Sequence, residues 1–431
     1  MLSSSCNKEE LPDCPTLGNG NGNGTGECDK SKLPVVMVHG FLASGDTYAN
    51  QAMRFLANDL CDDYVYAFDW NTLNQGGGDN NAILLDEFID NVLEVTGAAQ
   101  VNLAGHSAGG GLGYTYLSNA TRAAKVNAYA HVGSGAQDGA AGPNEDVPTI
   151  NIWSPDDLIV QSADINGAEN VMLPGLDHYE IATSAPTFEA MYNFFYGEMP
   201  STSTLIPESN VDVSGRVLTL GENEPRAGAT VRIFEVDSET GFRISSNPDH
   251  TVTADNNGHW GPVSVTPNTN YEFEVTTAVP GDRRIFYYRE GFVRSNPLVY
   301  LRTLPPPGSF VSLLFAGLPN SADQSVLTIF AANQGISSGR DVLMINEFEL
   351  STPEFCDPEN NTIALFMYDG NNNGETDLTS QGLFGQFPFL SSADVFFSPS
   401  PQATIECELN GKKLNVENKA SNEGIIIAVF D

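Results

Sequence analysis

Basic residues are scarce in this chain. Of 431 residues, 19 are Lys or Arg and 55 are Asp or Glu, giving a formal net charge of −36. A surface of that sign repels polyanions, which excludes nucleic acid and anionic membrane faces as electrostatic partners. The acids are interspersed with Gly, Asn and Ser rather than gathered in runs, so they read as a solvated surface. Long apolar runs are missing as well: no stretch approaches the roughly 18 consecutive apolar residues of a membrane-spanning helix. Histidines number six and cysteines six, so few proton carriers and few thiol pairings need to be weighed.

The most informative stretch present is Gly105-His106-Ser107-Ala108-Gly109. Gln100 to Ala104 before it reads as a short buried strand, and Gly109 to Asn119 after it as a helix. A G-x-S-x-G motif in that register is a nucleophile elbow, in which a strained turn exposes a serine and small neighbours let the turn close. The following helix N-terminus favours negative charge developing at Ser107.

A serine hydroxyl is a weak nucleophile at neutral pH and needs a base. His39 lies in an apolar strand running into a Gly turn, His131 lies inside a core-like strand, and His106 adjoins the serine and is expected to point elsewhere on the turn. His250 and His259 fall in a later, different region. His178 remains, in a loop just before a helix. The orienting carboxylate is expected after the strand Thr149 to Trp153, where Asp156 and Asp157 compete. Asp157 is favoured, because Leu158-Ile159-Val160 would anchor its backbone. The chain order Ser107, Asp157, His178 is that of α/β-hydrolases. Backbone N–H groups of Ala108 and Phe41 are the expected oxyanion donors, worth about 3 kcal/mol each in a water-poor site.

Val38-His39-Gly40-Phe41, Gly105 to Gly109, Ser154-x-x-Asp157-x-Ile159-Val160 and Asp177-His178 together resemble the bacterial true lipases of the α/β-hydrolase superfamily, most of all the small, nearly lidless type. The resemblance covers roughly residues 32–197. It implies a parallel sheet with helices on both faces and no cofactor in the chemistry.

Four regions follow from composition and periodicity: a tether over 1–30, the hydrolase over 31–200, and two all-β sandwich-like domains over 209–303 and 308–431. Tyr48 to Leu60, Ala82 to Val95 and Thr187 to Tyr196 carry helical spacing, with Ile83, Leu84, Phe88, Val92 and Leu93 read as the inward face of the second. Asn71 to Asn81 and Ser134 to Asp146 are the lid candidates. Beyond the Pro200 to Glu208 linker, strands alternate. Ala227 to Val231 and Ala254 to Trp260 resemble a carboxypeptidase-regulatory-like or transthyretin-like sandwich. The plan of a small lipase followed by β domains resembles lipases with a C-terminal lipid-binding domain. Phe384, Phe387 and Phe389 are read either as sandwich core or as an exposed patch beside the active-site mouth that holds acyl chains or an oil surface.

Asp369, Asn371, Asn373 and Asp377, with Gly374 at the sixth position, resemble the first part of a calcium loop, although Ser380 stands where the bidentate Glu belongs. Cys356 and Cys407, alone in the last region, are expected to pair. Cys28 is expected to pair with Cys61, with Cys14 able to replace either. Met1 to Asn7 resembles the end of a signal peptide, with Cys6 as a lipid-anchored residue. These features predict a secreted or bacterial surface-tethered carboxylic ester hydrolase. A triacylglycerol lipase acting on lipid or ester at an oil–water or polymer surface is the leading reading. A cutinase-like polyester depolymerase is the rival, and a surface-binding protein with a silent hydrolase the remote one.

Overall fold

The computed structural model describes residues 28–73, 78–309, 311–400 and 402–431. Cys6, Cys14, most of the tether and residues 74–77 of the first lid candidate lie outside the described residues.

The N-terminal third holds a six-stranded sheet ordered β2-β1-β3-β4-β5-β6, from β1 (Val35–Val38), β2 (Val65–Phe68), β3 (Val101–His106), β4 (Val126–Val132), β5 (Thr149–Trp153) and β6 (Glu169–Met172). Every pairing in it is parallel. Parallel strands are covered on both faces, which is why the inner ones read as apolar runs. Alternation then divides β1. Val35 and Met37 face a core with Phe55, Phe188 and Tyr192, while Val36 and Val38 face Leu85, Ile89 and Tyr116. Helices α1 (Ala49–Ala57) and α6 (Ala185–Tyr196) supply the first layer, α2 (Gly78–Thr96) and α3 (Ala108–Leu117) the second. Two short helices, α4 (Ala120–Ala123) and α5 (Glu180–Thr183), fill turns.

The inward stripe of α2 is Ala82, Leu85, Ile89 and Val92; Ile83 and Leu84 are about half exposed, contrary to the sequence reading. An i, i+3, i+7, i+10 stripe is what a helix lays on a sheet, and Ile83 and Leu84 fall to either side of it. Strand β6 was not expected. It is a short, largely exposed edge strand whose only apolar residues are Val171 and Met172. The Ser134 to Asp146 segment is tied down: Ala141 is buried and its N–H donates to Thr149 Oγ1 at 2.9 Å.

The remainder is predominantly β, with short helical turns at Ser312–Phe315 and Phe384–Gln386. Eight strands form one sheet in the order Leu390–Asp394, Ala364–Tyr368, Leu327–Ala331, Ile425–Phe430, Ile285–Arg289, Tyr271–Thr276, Thr230–Glu235 and His250–Thr253. The parallel pairing of Ile285–Arg289 with Ile425–Phe430 joins the segments before and after the Pro305-Pro306-Pro307 break into that single sheet. A three-stranded sheet packs on it through Val213, Val217, Trp260 and Leu301.

Cys28 and Cys61 form a disulfide. Cys356 and Cys407 do not pair and are buried free thiols, which corrects the expectation for them. Each thiol is turned to a carbonyl near in sequence, Leu350 at 3.5 Å for Cys356 and Ile405 at 3.9 Å for Cys407. Burial pushes the Cys356 thiol up to about 12, with the Asp341 charge adding to it, so the thiolate needed for exchange is not formed. Phe384 is wholly buried, stacked on Phe366 with ring centroids 4.3 Å apart, so it is core rather than an exposed patch.

Candidate active site

Ser107 lies between β3 and α3 at φ 54°, ψ −122°, a conformation that costs a non-glycine residue about 1–3 kcal/mol. The turn closes only around small neighbours. A Cβ on Gly105 would sit 2.4 Å from Gly109 O, and one on Gly109 2.3 Å from Val38 O.

The loops after β5 and β6 bring two more side chains to it. Ser107 Oγ is 2.9 Å from His178 Nε2, and His178 Nδ1 is 2.7 Å from Asp157 Oδ2. The other oxygen of Asp157 accepts the N–H groups of Ile159 at 2.9 Å and Val160 at 3.0 Å. Burial works to raise the Asp157 carboxyl; the His178 bond and charge with those N–H groups outweigh it, and the group lies below its ordinary value. A carboxylate so held accepts from Nδ1–H and leaves Nε2 free to take the serine proton. Asp156 is exposed and instead accepts Gly175 N–H at 2.6 Å, while Ser154 Oγ donates to Leu176 O at 2.7 Å. The two loops are thereby locked together.

His106 holds a position the sequence did not reveal. Its Nε2–H donates to the carbonyl of His178 at 2.8 Å, and the two rings lie 4.7 Å apart. Burial, with His178 beside it, pushes His106 down to about 3, so it stays neutral. A buried neutral imidazole here fixes the backbone that carries His178.

Helix α3 begins at Ala108, whose N–H has no carbonyl of its own helix to meet. Phe41 follows β1 in a turn that rests on the serine, since a Cβ on Gly40 would lie 3.0 Å from Ser107 Cβ. In that turn Leu42 N–H donates to Thr72 Oγ1 at 3.0 Å, and Ala43 N–H to Gly40 O at 3.4 Å. His39, buried and lowered by that burial, is a neutral acceptor at Nε2 for Trp70 N–H at 3.2 Å and Asn223 Nδ2 at 3.3 Å. Asn223 belongs to the β region, and it also donates to Ala43 O at 2.8 Å and Trp70 O at 3.0 Å.

The β region reaches the His178 loop too. Asp177 accepts Gly335 N–H at 3.0 Å and pairs with Arg340 at 2.9 Å. The Phe389 ring lies on the His178 ring, centroids 5.7 Å apart and planes 13° from parallel. A separate cavity of about 290 Å³ at the seam is lined by Asp46, Met53, Tyr179, Arg289 and Asp431; none of Ser107, Asp157 or His178 lines it.

The expected calcium ligands sit in one loop. Asp377 accepts the amides of Asn371 at 2.7 Å and Asn373 at 2.9 Å, and Asp369 accepts Gly374 N–H at 2.8 Å. Among the described residues no group of three or more His, Cys, Asp or Glu is arranged to hold a metal ion.

Residues 34–197 match the family of the alpha/beta hydrolase fold, and residues 209–306 the lipase C-terminal domain. Residues 319–431 match a further C-terminal domain family. The chain is therefore a carboxylic ester hydrolase of the α/β-hydrolase class. More particularly it is of the lipase/esterase type and carries a lipase C-terminal domain. Solved structures similar to it include a Bacillus licheniformis lipase in mature form, 16% identical over 39% of this chain and 94% of that one, TM-score 0.34. The naproxen esterase of Bacillus subtilis is 14% identical over 39% and 85%, TM-score 0.30. Aspergillus fumigatus lipase B is 16% identical over 42% of this chain and 56% of that one, TM-score 0.34.

Proposed function

We propose that this chain is a secreted lipase, cleaving triacylglycerol esters through an acyl-enzyme on Ser107. The observation that carries the reading is the unbroken hydrogen-bond chain Ser107, His178, Asp157 beneath a strained elbow. Ser107 Oγ attacks the ester carbonyl while His178 Nε2 takes its proton. The tetrahedral oxyanion receives the N–H groups of Phe41 and Ala108. His178 then protonates the leaving alcohol, and water enters by the same route in reverse. Asp157 stabilises the imidazolium formed in each half. Export is supported by the Cys28–Cys61 disulfide, a bond that persists in oxidising compartments. A calcium ion in the 369–377 loop is also part of this proposal. Its support is Asp394, a buried carboxylate on which the charges of Asp369 and Asp377 act and whose Oδ1 has no hydrogen-bond partner; the three carboxylates are not drawn together into a metal-holding group as they stand.

The test is fatty-acid release from an emulsified long-chain triacylglycerol, followed by titration, beside a polyester film. Ser107→Ala is expected to lose more than about 10³-fold in kcat and Asp157→Asn about 10⁴-fold, because triad members act as a unit. Near-normal turnover by Ser107→Ala would refute the mechanism. Film erosion without fatty-acid release would replace the lipase reading with a polyester depolymerase.

A further inference from the structure

The imidazole that the proposed mechanism relies on is enclosed by two elements remote in sequence. His106, on the elbow, lies against one side, and Phe389, from the last β region, stacks on the ring. Phe389 is 8% exposed and has φ 74°. A bulky residue rarely adopts that left-handed region, so the backbone there is strained. Backbone bonds fix it: Phe389 N–H donates to Asn360 O at 2.9 Å, and the Phe389 carbonyl accepts from Ile363 at 2.8 Å and Ala364 at 3.0 Å. The strained residue is thus held by the sheet of the last region while its ring is spent on a residue of the hydrolase. The same region grips the neighbouring residue, since Arg340 and Gly335 N–H both engage Asp177.

We propose that Phe389 is a positioning residue for the ester hydrolysis: its ring clamps the His178 imidazole in the plane that serves both Asp157 and Ser107. This rests on the reading of His178 as the base. An imidazole has two torsions to lose, and its hydrogen bonds to Ser107 and Asp157 leave it free to tilt about the line between them. A flat apolar surface on one face, with His106 on another, removes that freedom. The last β region is thereby a component of the active site in addition to whatever surface it binds.

Phe389→Gly removes the ring and relieves the backbone strain, because glycine accepts φ 74°. Phe389→Tyr keeps a ring of the same shape. Both are made in the full chain and assayed on soluble p-nitrophenyl butyrate, with melting temperature measured in parallel. The downfield His178 Nδ1–H proton resonance is recorded in each. We expect Phe389→Gly to stay folded and lose about 10-fold or more in kcat with KM little changed, since a displaced reacting group lowers turnover rather than ground-state binding. The Nδ1–H resonance broadens, and Phe389→Tyr restores both. An unchanged kcat and an unchanged resonance in a folded Phe389→Gly overturn the clamp. So does a loss confined to KM that grows with acyl length, which would make Phe389 a pocket wall instead. Ser107→Ala is run alongside: if it stays active, the parent reading of the triad fails, whereas a dead Ser107→Ala with a normal Phe389→Gly sinks the clamp alone.

Discussion

Asp62 shows how one carboxyl in a crowded acidic surface sets a stability that depends on pH. It follows the disulfide residue Cys61. Burial pushes it up to about 6 from an ordinary 3.8, with the charges of Asp63 and Glu208 adding to the effect and Arg294 opposing it. Because the folded-state value lies above the unfolded one, the folded chain binds the extra proton between about pH 4 and 6. Stability from this group is therefore greatest in acid and is lost as pH rises through 6. A shift of about two units is worth at most about 3 kcal/mol. Solvent screening of a partly exposed side chain reduces this to roughly 1–2 kcal/mol. Asp62→Asn is expected to raise the unfolding free energy by that amount at pH 7.5 and by almost nothing at pH 3.5. Urea melts at the two pH values check it, and equal effects at both would show that the charge is not the cause.

The serine, its glycines and the histidine and aspartate loops could be read because each is a local pattern with a local physical reason. What could not be read is how residues distant in the chain meet. Nothing around Phe389 in sequence says that its ring reaches His178, and nothing around His106 says that it holds the His178 carbonyl.

At the scale of elements the same division holds. The buried parallel strands announce themselves as apolar runs, whereas β6 is a four-residue, largely exposed edge with only Val171 and Met172 apolar and gives no such run. The stripe of α2 was misjudged because its N-terminal turn carries Ile83 and Leu84 on the solvent side, and periodicity alone does not say which apolar residues a sheet will cover. The Cys356 and Cys407 pairing failed for a related reason: sequence gives the count of thiols and not their directions, and here each side chain turns to a nearby carbonyl. The loop 369–377 was legible as an oxygen-rich turn, but Asp394 enters it from the adjoining strand Leu390–Asp394, in register with Tyr368. If calcium fills this loop, the Asp394 oxygen that lacks a donor would serve as a ligand to the ion, and the repulsion of Asp394 by Asp369 and Asp377 would be relieved. Binding to the folded state alone stabilises it by about 2.7 kcal/mol at a hundredfold excess over Kd. The melting temperature is therefore expected to rise by about 3 °C between EGTA and millimolar calcium, and Asp394→Asn to remove most of that rise. Identical melts in the two buffers, with no heat on titration, would leave the loop as an Asn/Gly turn.

For the molecule as a whole, the hydrolase and the β region share their interior. Leu218, Leu298 and Tyr300 belong to the same core as Val35, Phe55 and Phe188. Polar groups cross the seam as well. Asp69, its side chain buried, accepts Gly45 N–H at 2.7 Å, Tyr300 O–H at 2.8 Å and Arg216 Nη1 at 2.6 Å. Burial works to raise it and Arg216 with these donors prevails, so it lies below its ordinary value. Arg302, also buried, pairs with Asp46 and donates to Ser44 at 3.1 Å. Sequence periodicity marks a linker near Pro200 and says nothing of these bonds, because they join residues far apart in the chain. Ending the chain near Glu198 would remove three side chains from the hydrolase core and open the apolar face they cover to water. Such a fragment is expected to show no cooperative thermal transition by circular dichroism. The same logic works in the full chain by single substitution. Arg216→Met leaves Asp69 charged and unpaired in the interior, which typically costs 3–5 kcal/mol. Adding Asp69→Asn to it should recover a large part of that loss, since the second change removes the charge the first one strands. Additive losses from the two substitutions would mean that Arg216 acts by packing its aliphatic stem rather than by holding the Asp69 carboxylate. A fragment ending near Glu198 that melts cooperatively within a few degrees of the full chain would show the hydrolase to be self-sufficient.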